Sequence, residues 1–136
     1  MEDRMRLFAL AAFLLASLVS AASFAAPSLT GRWSITAVAG ADGLEVARTR
    51  AEFATNGRFA STVGCNRIAG KPQIAGSQMT FGPMMATRMA CPGPLGEVER
   101  AYMAALSNVR GYRLAGGTLA FLGEGGEELV TLERAK

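Results

Sequence analysis

The chain has 136 residues, with 14 lysines and arginines against 11 aspartates and glutamates, a formal charge of +3 and no histidine. That length supports one domain. The lack of histidine removes the side chain most used for proton transfer at neutral pH, and the basic residues form no run of the kind that tracks a nucleic acid.

The first segment reads as a secretory leader. Arg4 and Arg6 precede an apolar run from Leu7 to Val19 that only Ser17 interrupts. Small residues follow, and Ser23 and Ala25 suit the −3 and −1 positions of a signal-peptidase site. The run falls short of the ~20 apolar residues that span a bilayer. The expectation is a signal peptide over residues 1–25, cleaved after Ala25, and a periplasmic or secreted domain over residues 26–136. Retention of the leader as an anchor is the alternative. No later stretch is apolar enough for a transmembrane span.

Behind such a leader lie two cysteines, Cys65 and Cys91. In an oxidising compartment two thiols usually become one disulfide. A thiol held that way is no nucleophile, and no Cys-x-x-Cys motif marks a redox pair. The staple would close a segment of about 26 residues, for which the chain-entropy model gives roughly 3–4 kcal/mol.

The domain then reads as short alternating segments broken by glycine-rich turns. Trp33, Ile35 and Ala37 alternate with Arg32, Ser34 and Thr36. A strand from Arg50 to Thr55 leads into Asn56-Gly57, a two-residue hairpin signal. The return strand, Arg58 to Cys65, sets Phe59, Ser61, Val63 and Cys65 on one face. Ile74 to Phe81 reads as a hairpin turning at Gly76-Ser77, with Met79 and Phe81 together. Leu95 to Asn108 changes period: Val98, Tyr102, Ala105 and Leu106 fall at helical spacing. Pro94 suits the helix start, and Glu97 and Glu99 favour its positive end. Three strands follow, around Tyr112 and Leu114, around Leu119 and Phe121, and over Glu128 to Glu133. The expected fold is α+β and mainly β: a small antiparallel sheet or barrel of seven to eight strands, with one α-helix inserted before the last three and one disulfide.

The densest signal is Gly64-Cys65-Asn66-Arg67-Ile68-Ala69-Gly70, followed by Thr87-Arg88-Met89-Ala90-Cys91. With Gly31-Arg32-Trp33 before them and a helix after them, these segments resemble the hallmarks of the META domain family, also called HslJ-like. The resemblance spans essentially the whole chain after the leader. It implies an open β-barrel with one helix and a disulfide between the paired cysteines. It also implies an envelope or secreted protein linked to heat or antibiotic stress, or to motility, secretion or virulence.

Gly31, Trp33, Gly64, Asn66, Gly70 and Thr87 are read as structural: Asn66 and Gly70 shape a loop, and Trp33 plugs a barrel floor. Arg67, Met84, Met85, Arg88 and Met89 are the candidates for partner or ligand contact. The methionines, adaptable side chains, either fill gaps between helix and sheet or line an apolar groove. Gly-x-Ser-x-Gly, a phosphate loop and metal-ligand clusters are missing. No catalytic residue, cofactor or metal is therefore expected. The chain reads as a non-enzymatic exported envelope protein, a monomer that binds an envelope or secreted protein in stress response, assembly or secretion. The alternatives are an inhibitor of a secreted hydrolase and a carrier of a small apolar ligand.

Overall fold

The computed structural model describes residues 28–136. The expected leader and its expected cleavage point after Ala25 lie outside the described residues. Ten strands occur in chain order: β1 (Gly31–Val38), β2 (Arg50–Phe53), β3 (Phe59–Thr62), β4 (Ile68–Gly70), β5 (Gln73–Ala75), β6 (Gln78–Thr80), β7 (Met85–Ala86), β8 (Gly111–Ala115), β9 (Thr118–Leu122) and β10 (Glu128–Arg134). Among the described residues one α-helix, α1 (Leu95–Asn108), precedes the last three strands, and a short 3-10 turn spans Val46–Arg48.

The strands form one sheet in the order β5-β6-β8-β9-β10-β1-β2-β3-β4-β7, antiparallel throughout. It curls into a half-barrel left open between β5 and β7. The helix packs against β10, β1 and β6. Its apolar stripe of Leu95, Val98, Tyr102, Ala105 and Leu106 is buried. Phe53, Phe59, Phe81 and Phe121 form one aromatic cluster, with ring centroids from 4.7 Å to 6.3 Å apart. Burying each ring stabilises the fold by about 1.5–3 kcal/mol before entropy is counted. The Tyr102 hydroxyl reaches across the core and donates to Ser61 Oγ at 2.8 Å. Burial pushes its ionisation well above the ordinary tyrosine range, and the Ser61 hydrogen bond offsets only part of that.

The ten strands exceed the upper expected number of eight by two short ones, β4 and β7. Three and two residues cannot display an alternation long enough to read, and neither strand had the turn signal that marked the similarly short β5 and β6. Two local expectations are corrected. Ala37 is exposed and Val38 buried, because the register slips between Ile35 and Ala37 and flips the faces beyond that bulge. At Asn56-Gly57 only the glycine takes positive φ, +84°. Gly57 N–H donates to Ala54 O and Ala54 N–H to Arg58 O, which gives a three-residue loop ending in a left-handed glycine. Gly76-Ser77 does make the two-residue turn, with Gly76 at φ +58° between the paired Ala75 and Gln78.

Candidate functional site

The cysteine segments meet at one corner, where the chain leaving β3, the β7 loop and the start of α1 converge. Cys65 and Cys91 form a disulfide with a Cα separation of 5.6 Å, and neither thiol is free. Directly beside it Asn66 is buried. Its Oδ1 accepts from Thr87 Oγ1 at 3.0 Å and from Met89 N–H at 2.7 Å. Its Nδ2 donates to Met89 O at 3.0 Å and to Glu99 Oε1 at 2.6 Å. A carboxamide offers two donors and two acceptor sites, and all four are used. Backbone N–H groups complete the junction: that of Asn66 donates to Glu99 Oε2 at 3.1 Å, and that of Arg67 to Thr87 Oγ1 at 2.9 Å.

From its charge in the sequence, Glu99 shows only a helix-dipole role. Its larger part is to tie the helix to the Asn66 loop. The signal was present: Glu99 stands between Leu95 and Tyr102 on the buried stripe, and a carboxylate there needs donors. Cys65, Cys91 and Glu99 place their ligand atoms within 4.8 Å of one another. With the two sulfurs bonded to each other, the trio offers a metal one carboxylate, short of a closed ligand set.

The glycines follow from close approach. A Cβ on Gly64 would lie 2.9 Å from Glu99 Oε2 and 3.0 Å from the Leu95 carbonyl. A Cβ on Gly70 would fall on the Met84 sulfur. Gly31 holds φ +124°. Trp33 is buried, its Nε1 donating to Leu29 O at 2.9 Å. The Arg134 guanidinium lies 4.2 Å from the centre of its ring. That guanidinium also donates to Thr30 O at 2.8 Å. Trp33 therefore ties together the two ends of the described chain.

The contact candidates divide. Met84 is half-buried against the core, with its sulfur under Gly70. Met85 is 75% exposed and Met89 58%. Arg88 stands exposed between them, in no ion pair among the described residues. Met89 also borders a shallow hollow of about 550 Å³, together with Ala90, Arg100 and Met103. Arg67 leaves the group and lines a pocket on the outer face of β1 to β3.

Residues 27–136 match the META domain family. The chain belongs to that family. A search of curated proteins finds no match. Solved structures share the fold of this META domain. A protein from Burkholderia xenovorans, solved by NMR, is similar at 23% identity with a TM-score of 0.58, over 83% of this chain and 94% of that one. A second NMR structure is similar at 18% identity and 0.59, over 75% and 86%. A duf4847 family protein from Bacteroides vulgatus, known from a crystal structure, is similar at 18% and 0.52, over 67% and 62%. At these identities the likeness is one of fold.

Proposed function

We propose that this META domain is a non-enzymatic, exported envelope protein that acts by binding another envelope or secreted protein, in stress response, assembly or secretion. The observation that carries the reading is the segment Met85 to Met89. It displays two exposed methionines around an exposed arginine, and its backbone is held by Asn66, Thr87 and the disulfide. Adaptable apolar side chains can fit an irregular partner surface, and a backbone already fixed spares the backbone share of the ordering cost. The corner itself has no hydrogen-bonding capacity left at Asn66 and no free sulfur, so it serves as a mount for that segment. A carrier of apolar ligands finds less support, since Met84 packs inward and Met89 alone of the three methionines borders the hollow.

The test is a photo-crosslinking side chain placed at Met85 or Arg88 in cells that make the protein. A single envelope protein should be captured from both positions and not from Arg113 on β8. Loss of selectivity against Arg113, or no product from either position, would defeat the reading.

A further inference from the structure

The basic residues are scattered along the chain, yet three of them gather on the outer face of the sheet. Trp33 in β1 and Ala51 and Phe53 in β2 turn inward, so alternation sends Arg32, Arg50 and Glu52 outward. The ladders bring them together: Arg32 pairs with Glu52, and Arg50 with Thr62. Arg67 precedes Ile68, the partner of Ser61, and so arrives beside Thr62.

These side chains surround a pocket of about 280 Å³, to which Ser34 adds a second hydroxyl. Glu52 is the one acidic side chain on its wall, and Lys136 stands at its margin. None of the three arginines is in an ion pair among the described residues.

Like charges brought together on one sheet face repel, and an anion between them removes that cost. The guanidinium fork matches phosphate oxygens bidentately, and the Ser34 and Thr62 hydroxyls add donors. The volume suits a phosphoryl group with a short polar attachment and is too small for a length of polymer. We propose that this pocket binds a phosphoryl anion, carried by the head group of an anionic phospholipid or by a small soluble phosphate ester. The site is separate from the Met85 to Met89 segment and stands whether or not that segment finds a partner.

Two probes test it on the folded, disulfide-bonded protein: glycerol phosphate followed by calorimetry, and co-sedimentation with phosphatidylcholine vesicles with and without phosphatidylglycerol. At least one probe should bind. Arg50→Gln combined with Arg67→Gln should weaken binding at least tenfold while leaving the melting curve in place. Glu52→Gln should tighten binding severalfold, and Arg113→Gln should leave it unchanged. Binding to vesicles alone assigns the lipid source, and binding to glycerol phosphate alone assigns the soluble one. The proposal is overturned if neither probe binds or if the folded double variant binds like the parent.

Discussion

Asn66 does the work of a small prosthetic group: one buried amide organises two loops and a helix. Asn66→Ala would strand Met89 N–H, Met89 O, the Thr87 hydroxyl and the Glu99 carboxylate. Unsatisfied buried groups cost about 1–3 kcal/mol each, and part would be recovered by water. The expected loss is about 3 kcal/mol, read as a lower urea midpoint at unchanged slope. Asn66→Asp keeps the shape and should be no better at pH 7, because it faces Glu99 with a second carboxylate where the amide now donates at 2.6 Å. A midpoint for Asn66→Asp close to the parent's would show that the network carries little. The sequence marked Asn66, Gly64 and Thr87 through their motif. It marked Glu99 as a carboxylate on the buried stripe in need of donors, but did not show that Asn66 supplies them, since that contact crosses 33 residues and depends on how the helix settles.

The elements were legible where their period was long. The helix limits, Leu95–Asn108, follow from four apolar positions and a proline. The bulge in β1 left no local mark, because it is set by the pairing with β10. The same distinction governs the glycines, whose necessity depends on what approaches them. Gly64→Ala should push the helix start away, since the Leu95 carbonyl is backbone that cannot turn aside. A loss of about 2 kcal/mol or more is expected, in the range of overpacking. Gly70→Ala overlaps the flexible end of Met84, while the Pro83 carbonyl at 3.4 Å is in ordinary contact, and should cost below about 1 kcal/mol. Thermal melts of the two variants side by side check the order, and a reversed order would mean that the helix is less tightly held than its geometry implies.

At the level of the whole molecule, the disulfide bridges a separation of 26 residues and fastens the β7 loop to the end of β3. The chain-entropy model assigns such a loop about 3.5 kcal/mol. Replacing both cysteines by serine should lower unfolding stability by that order without changing the sheet. Urea titration measures the loss, and circular dichroism checks the fold. An unchanged midpoint would put the stabilisation in the Asn66 network alone. Pairing of the cysteines was readable from their number and setting, whereas the convergence of Arg32, Arg50 and Arg67 was not. Those residues lie far apart in the chain, and only the strand order makes them neighbours.

That order has a kinetic consequence. β1 lies between β2 and β10, so the opening strand of the barrel is zipped to the closing one, through pairs such as Trp33 with Arg134. Nucleation from the N-terminal side alone leaves half of the first strand's backbone groups without partners until the far end of the polypeptide is delivered. High contact order of this kind slows folding. Until Glu128–Arg134 pairs with it, the β10-facing edge of the first strand stays pliable, and the sheet locks only when that late segment is in place.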